Sequence, residues 1–230
     1  MIDLSKATFI IPIRIESSDR LRNVITTTAF LLENFDTNII IKEVDSESVF
    51  QRDALPVLKD ILDVDVNVQH IFEKSNELLF HRQKVLNEMI IEAKTEIVVN
   101  YDCDVLLPLD SYHKAYQSIL DHTHDVVYPY GQGMYQYQVR ATDEIVSEFL
   151  QTRDFTILDK HSNLHTSDFG WAQFFRRQVY IDGGLENENF KAYSPEDKER
   201  FYRFTTLGYN VGRINDYVYH LEHVRGENSW

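Results

Sequence analysis

The chain has 230 residues, of which 43% are hydrophobic and 26% are charged, and its formal net charge is −14 at pH 7. This length fits one domain, and the composition supplies a buried core and excludes a disordered chain. The negative charge disfavours nucleic acid and anionic membrane surfaces as partners, and it implies a bridging divalent cation wherever a phosphate-bearing ligand binds.

The single cysteine, Cys103, excludes an intrachain disulfide and a cysteine zinc cluster, which is typical of a reducing compartment. The N-terminal residues show no signal-peptide pattern, and apolar runs such as residues 9–13 are far shorter than the roughly 20 residues of a membrane-spanning helix. We therefore expect no transmembrane segment, and a location in the cytoplasm or peripherally at the inner membrane.

Apolar runs alternate with helical periodicities over the first 130 residues, which predicts an α/β fold with a mostly parallel central sheet flanked by helices. The predicted strands are residues 7–13, 38–44, 64–72, 96–101 and 125–128. The predicted helices are residues 21–35, 54–62 and 109–120, together with a long helix that is capped by Ser75 and ends near Ala93.

The pattern changes after the glycines at positions 131 and 133. Residues 134–167 are mixed and polar, which predicts an irregular connection with one helix at 142–150 rather than a second core. A helix near residues 195–207 and two short strands at 210–214 and 217–221 end the chain. We expect one catalytic domain, residues 1–230, with a nucleotide-binding half at 1–130 and an acceptor-binding and catalytic half at 131–230.

The triplet Asp102-Cys103-Asp104 directly follows an apolar strand, and open α/β sheets bind ligands at the carboxyl ends of their strands. The spacing alone is uninformative, because a shuffled chain of this composition contains about six acid-x-acid triplets. A solvated turn explains the triplet as well as a ligand site does. Its position after a strand is therefore the informative feature.

A second acidic group, Glu196 and Asp197, follows Ser194 and Pro195 at a predicted helix start. Ser194 as the cap and Asp197 three residues later form a capping box, which explains Asp197 without any function. The upstream pair Gly183-Gly184, with carboxylates and aromatic residues nearby, favours a sugar-binding rim instead. The two interpretations stay open at this point.

His220 and His223 stand near the end of the chain, and both reach one metal ion only if the backbone turns between them. Isolated histidines are usually structural, but a pair together with an acidic triplet supports a divalent site suited to Mn²⁺ better than to Mg²⁺. Arginines near the strand ends can pair with a diphosphate or stack on a base, although each also fits a surface ion pair; they are Arg14, Arg20 and Arg82.

In this order and spacing, the motifs resemble the GT-A nucleotide-sugar glycosyltransferases, specifically the β-1,4-galactosyltransferase-like family and the catalytic domains of bacterial capsule polymerases. The resemblance spans nearly the whole chain and rests on the following segments: Ile11-Pro12-Ile13-Arg14, Phe80-His81-Arg82 with Asn87, Asp102-Cys103-Asp104, Gly183-Gly184, Tyr193-Ser194-Pro195-Glu196-Asp197 and His223-Val224-Arg225.

The resemblance implies a role for each matched position. Pro12 and Arg14 would line the nucleotide pocket, Phe80 and Arg82 would hold the uridine, and Asp102 would bond the ribose or donor sugar. Asp104 and His223 would ligate Mn²⁺ or another divalent cation, with His220 either a further ligand or idle. Glu196 would grip sugar hydroxyls, Asp197 would be the general base, and Tyr193 would stack on the sugar where the family often has tryptophan.

The implied activity is that of an inverting UDP-sugar hexosyltransferase acting on a glycan or glycolipid acceptor in bacterial capsule or lipopolysaccharide synthesis. The donor sugar stays open, with galactose favoured, because Asp168-Phe169-Gly170-Trp171 departs from the family pattern at a position linked to donor choice. The chain ends at Trp230, soon after His223, so either the family's closing loop is short here or the domain belongs to, or is fused to, a longer protein.

Two alternatives belong to other classes. A sugar nucleotidyltransferase shares the α/β core and the metal-binding aspartates, but it needs a glycine-rich loop after the first strand, and residues 12–17 contain no glycine. A catalytically silent module that binds carbohydrate or UDP-sugar would keep the fold without turnover. The joint presence of Asp104, Asp197 and His223 favours the enzyme.

Overall fold

The computed structural model describes residues 1–63, 65–191, 194–226 and 228 as a mixed α/β fold. Its strands in chain order are β1 (Ile2–Ile13), β2 (Phe35–Asp45), β3 (Gln69–Lys74), β4 (Ile97–Tyr101), β5 (Val105–Leu106), β6 (Val126–Tyr128), β7 (Gly133–Val139), β8 (Ser162–Ser167), β9 (Ala172–Arg176), β10 (Val211–Arg213) and β11 (Val218–Leu221). Its α-helices are α1 (Ser18–Asn34), α2 (Leu55–Ile61), α3 (Arg82–Glu92), α4 (Leu109–Leu120), α5 (Asp143–Thr152), α6 (Phe155–Lys160), α7 (Arg177–Asp182) and α8 (Glu196–Thr206).

The central sheet, within the described residues, has seven strands in the order β10-β6-β9-β4-β1-β2-β3. The pairs β1–β2, β1–β4, β2–β3 and β6–β10 are parallel, whereas β9 runs antiparallel to both β4 and β6. All five residues of β4 are buried, as expected for a central strand covered on both faces. The predicted mostly parallel sheet flanked by helices is confirmed.

The described residues form a second sheet of four strands, in the order β5-β11-β7-β8, and two of these strands, β7 and β8, lie in the region for which an irregular connection was predicted. That prediction was wrong for residues 133–139 and 162–167, although the helix predicted at 142–150 is present as α5. In β7, glutamines alternate with tyrosines from Tyr135 to Gln138, which is the period-2 pattern of a strand with two different faces. The polar character of one face concealed this strand in the sequence.

The predicted helix capped by Ser75 is also wrong, because α3 begins only at Arg82 with His81 as its N-cap. The residues before it form a loop in which Leu78 is 69% exposed, so the apolar spacing there reflects no buried face. Phe80 and His81 therefore lie in the loop, and Arg82 is the first residue of the helix. No helix in the described ranges is both long enough and apolar enough to cross a bilayer.

Candidate active site

The pairing of β5 with β11 brings the two remote metal-ligand candidates together. His220 lies opposite Val105 in this antiparallel pair, and the backbone N–H of Leu221 donates to the carbonyl of Asp104 over 2.8 Å. As a result, Asp104 Oδ2 lies 3.2 Å from His223 Nε2 and 3.7 Å from His220 Nε2. The ligand atoms of all three residues lie within 4.8 Å of one another.

Both imidazoles are oriented through their Nδ1 atoms. His220 Nδ1 lies 2.9 Å from Gln138 Oε1, and His223 Nδ1 lies 2.9 Å from the carbonyl oxygen of Val224. Because both partners only accept hydrogen bonds, each Nδ1 carries a proton, and each Nε2 faces Asp104, where it can ligate a cation once it carries no proton itself. One carboxylate and two such nitrogens fit a borderline divalent cation.

Asp104 is ionised in this cluster. Burial alone would raise its pKa, but the neighbouring imidazoles of His220 and His223 outweigh burial and hold the pKa well below its usual range. The hydrogen bond to Asp104 in turn raises the pKa of His223. A cation would therefore meet a carboxylate that is already charged.

Arg82 links the start of α3 to the aspartate triplet. Its Nη2 donates to Asp102 Oδ1 over 2.5 Å and to Asn100 Oδ1 over 3.3 Å. Burial raises the pKa of Asp102, while the positive charge of Arg82 opposes this shift. Asp102 directly follows β4, so the pair of Arg82 and Asp102 lies at the carboxyl end of this strand, where open α/β sheets bind ligands.

Arg14 supports the loop that carries Phe80. Its Nε donates to the carbonyl of Val44 over 2.9 Å, and its Nη1 donates to the carbonyls of Glu77 and Leu78, each over 3.0 Å. Its guanidinium also lies over the ring of Phe80, 5.5 Å from the centroid. Arg14 thus directs its donors at backbone carbonyls of β2 and of the loop that carries Phe80.

The start of α8 carries the second acidic pair without the predicted capping box. Pro195 occupies the N-cap position with no side-chain cap bond, and the hydroxyl of Ser194 donates to the carbonyl of Lys191. Asp197 Oδ1 instead accepts a hydrogen bond of 2.9 Å from Arg200 Nη1. Burial, reinforced by the charge of Asp197, raises the pKa of the neighbouring Glu196 to about 7.

Arg200 is fully buried and was missed in the sequence. It donates to both carboxylate oxygens of Glu186, over 2.6 and 3.0 Å, and to Gln173 Oε1 over 3.0 Å. Gln173 Oε1 also accepts from Asn100 Nδ2 over 2.9 Å. A continuous hydrogen-bond network therefore joins the two acidic sites through Asp197, Arg200, Gln173, Asn100, Arg82 and Asp102.

One cleft of about 620 Å³ contains these groups. It is lined by every described residue that the sequence predicted for the site: Pro12, Arg14, Phe80, Arg82, Asp102, Asp104, Glu196, Asp197, His220 and His223. Tyr193, predicted to stack on the sugar, lies outside the described residues. A larger cavity of about 940 Å³ between α1, α2 and α5 includes none of these groups.

Solved structures of known proteins share this architecture. The mannosyltransferase PcManGT from Pyrobaculum calidifontis, in complex with GDP-Man and Mn²⁺, matches with a TM-score of 0.58 and 15% identity over 96% of this chain and 58% of that chain. S. aureus TarS 1–349 matches with a TM-score of 0.58 and 15% identity over 94% of this chain and 60% of that one. The chain has a GT-A fold.

The GT-A match extends to an animal enzyme. The catalytic domain of Drosophila β1,4-galactosyltransferase 7, in complex with xylobiose, has a TM-score of 0.55 and 16% identity over 97% of this chain and 72% of that chain. This chain spans 58% of the length of the PcManGT chain and 60% of the length of TarS 1–349. By sequence, no family model and no curated protein matches it.

Proposed function

We propose that this protein is a metal-dependent, inverting glycosyltransferase that moves a hexose or N-acetylhexosamine, galactose favoured, from a UDP-sugar to a hydroxyl of a glycan or glycolipid. The observation that carries this proposal is the convergence of Asp104, His220 and His223 in the same cleft as Asp102 and Asp197. The GT-A neighbours add support, since PcManGT is seen with GDP-Man and Mn²⁺ and TarS with UDP-GlcNAc.

On this proposal, the nucleotide half supplies the donor site. Pro12, Phe80 and the loop supported by Arg14 would hold the uridine. Arg82 orients Asp102 through its hydrogen bond, so that Asp102 can bond a ribose or sugar hydroxyl. The rigidity of this pair favours a single donor pose, because both partners are tied to the end of β4.

Asp104, His220 and His223 would hold the divalent cation. The cation, Mn²⁺ in our proposal, would neutralise charge on the departing diphosphate as a Lewis acid. His220 counts as a ligand here because Gln138 fixes its Nδ1 proton and thereby frees Nε2.

Asp197 would act as the general base. It takes the proton of the acceptor hydroxyl while the acceptor oxygen forms a bond to the anomeric carbon, and the bond from that carbon to the diphosphate oxygen breaks with its electron pair. Attack opposite the leaving group inverts the anomeric configuration. Arg200 fixes the orientation of Asp197, and Glu196 lies beside it to bond sugar hydroxyls.

Two other functions remain testable alternatives: sugar nucleotidyl transfer, which consumes a nucleoside triphosphate, and silent binding of a UDP-sugar. The proposed setting is bacterial capsule or lipopolysaccharide synthesis in the cytoplasm or at the inner membrane, where the domain is fused to or associated with further biosynthetic domains.

The decisive experiment is calorimetric titration with UDP in the presence and absence of Mn²⁺, followed by measurement of UDP release from a panel of UDP-sugars. We expect binding that requires Mn²⁺ and is abolished in Asp104→Ala, because Asp104 would hold the cation that offsets the charge of the diphosphate. Asp110→Ala is the matched control, since that carboxylate is exposed on α4. Binding without Mn²⁺ and no UDP release would favour the silent module, whereas pyrophosphate release from a triphosphate would favour nucleotidyl transfer.

A further inference from the structure

Trp171 has a backbone conformation that is costly for its residue type. Its φ is +68°, in the left-handed region that bulky residues rarely adopt. The surrounding backbone is held in place: the carbonyl of Trp171 accepts from the N–H of Asp102 over 2.8 Å, and the carbonyl of Gly170 accepts from Gln173 Nε2 over 2.7 Å and from the hydroxyl of Tyr130. Glycine would adopt this φ without cost. We therefore infer that the indole ring of Trp171 has a role that offsets the cost of the backbone conformation.

The indole ring is placed at the surface of the cleft. Tyr130 is fully buried and meets the ring edge to face, at a centroid distance of 5.5 Å and an interplanar angle of 89°. Trp171 itself is only half-buried and lines the cleft. The ring is therefore braced on one side by the core and available on the other.

The segment that carries Trp171 lies directly against the proposed general base. A β-carbon built on Gly170 would lie 3.2 Å from Asp197 Oδ2. The other carboxylate oxygen of Asp197 accepts the hydrogen bond from Arg200. In an in-line displacement the acceptor approaches from the side of the base, opposite the diphosphate and the Asp104 cluster. Trp171 thus borders the path of the acceptor.

We propose that Trp171 is the stacking platform of the acceptor subsite and takes the apolar C–H face of a neutral hexopyranose. An aromatic ring with one free face offers a large apolar surface of this kind, beside polar groups that fix orientation. Neutral sugars are favoured because the carboxylates of Asp168 and Asp197 line the cleft beside Trp171 and would repel an anionic sugar. The inference rests on the proposed glycosyl transfer and names its acceptor class.

The first test uses the fluorescence of Trp171. The chain has two tryptophans, so Trp230→Phe leaves Trp171 as the single reporter. In this variant, loaded with UDP and Mn²⁺, we expect methyl β-D-galactopyranoside, methyl β-D-glucopyranoside or methyl N-acetyl-β-D-glucosaminide to cause a saturable emission change. Methyl β-D-glucuronide should cause none. A flat response to all the neutral sugars, or a response to the glucuronide alone, would overturn the proposal.

The second test is kinetic. Trp171→Gly removes the ring and relieves the backbone at once, so a fold defect is not the expected result. We expect its acceptor KM to rise about tenfold or more, the scale of a lost aromatic contact, while Mn²⁺-dependent UDP binding is retained. Trp171→Phe should recover most of the affinity. Tyr202→Ala is the matched control, because Tyr202 is exposed on α8 and does not line the cleft.

The two proposals fail in different ways. An unchanged acceptor KM in Trp171→Gly, with UDP binding intact, would refute the platform and leave glycosyl transfer standing. If the unmodified protein shows no Mn²⁺-dependent UDP binding, the proposed function is refuted, and the proposed acceptor platform is refuted with it.

Discussion

Asp197 offers its two carboxylate oxygens to different partners, since Oδ1 accepts from Arg200 and Oδ2 lies beside Gly170. Asparagine keeps an oxygen acceptor for Arg200 but cannot take a proton at neutral pH. We therefore expect Asp197→Asn to lower kcat by about 10²- to 10⁴-fold, the usual worth of general base catalysis. The rate of UDP release at saturating donor and acceptor concentrations measures this kcat.

The control for this variant is donor binding. Because Asp197 and the Asp104 cluster belong to separate parts of the cleft, Mn²⁺-dependent UDP affinity should match that of the unmodified protein. A variant that no longer binds UDP would contradict the assignment of Asp197 as the base.

Gln138 is the partner that orients His220. Its Oε1 accepts from His220 Nδ1, and the same oxygen accepts from Gln136 Nε2, each over 2.9 Å. Removing such a partner typically weakens a metal site by about 10- to 100-fold. We expect this loss of Mn²⁺ affinity in Gln138→Leu, measured by calorimetry, whereas Gln151→Leu on the exposed side of α5 should have no effect. Equal affinity in both variants would show that the hydrogen bond between Gln138 and His220 does not support a metal site.

At the scale of elements, the start of α8 holds a carboxyl group whose protonation is coupled to folding. Glu196 is nearly buried, and its Oε2 has no hydrogen-bond partner among the described residues. Burial and the charge of Asp197 raise its pKa to about 7 from the ordinary 4.5. Between pH 4.5 and about pH 7, Glu196 carries a proton in the folded chain and has lost it in the unfolded chain. The stability that the protonated Glu196 contributes is therefore lost as the pH rises through this range.

Glu196→Gln removes this dependence. Its free energy of unfolding, relative to that of the unmodified protein, should increase by about 2–3 kcal/mol from pH 4.5 to pH 7 and then level off. Urea unfolding at a series of pH values measures the difference. Parallel pH profiles for the two proteins would mean that Glu196 titrates normally.

The strands β5 and β11 decide the geometry of the cluster formed by Asp104, His220 and His223. Each is short, and β5 has only two residues, yet their antiparallel pairing fixes His220 beside the aspartate triplet. His223 follows the end of β11, where the chain leaves the regular strand, so both imidazoles reach the same carboxylate. The sequence analysis required the backbone to turn between His220 and His223, and the end of β11 provides that turn.

At the scale of the whole molecule, the cleft is built from distant parts of the chain, because β1, α3, β7, α8 and β11 and the triplet that follows β4 all contribute to its lining. A ligand that bridges these parts binds the folded chain and not the unfolded one. UDP with Mn²⁺ at about one hundred times its Kd should therefore raise the free energy of unfolding by about 2.7 kcal/mol. Thermal unfolding with and without both ligands measures the shift.

The control separates the cluster of Asp104, His220 and His223 from the rest of the cleft. Asp104→Ala should unfold at the same temperature with and without UDP and Mn²⁺, because the bridging cation is no longer held. An equal ligand-induced shift in this variant would place the UDP site elsewhere.

The sequence by itself determined the alternation of strands and helices, the place of Asp102 and Asp104 after a strand, and the candidates His220, His223 and Asp197. The strand and helix pattern and the metal-ligand candidates follow from periodicity and from ligand chemistry, which are local properties of the chain, whereas the role of Asp197 was implied only by the family resemblance.

Only the tertiary structure decided what joins these residues. The second sheet, the late start of α3 at Arg82, and the partners Gln138, Gln173 and Arg200 depend on contacts between segments that are far apart in the sequence, such as β5 and β11. A glutamine in an alternating strand or an arginine in a charged helix has no local signature, because its role comes from the partner that folding places opposite it.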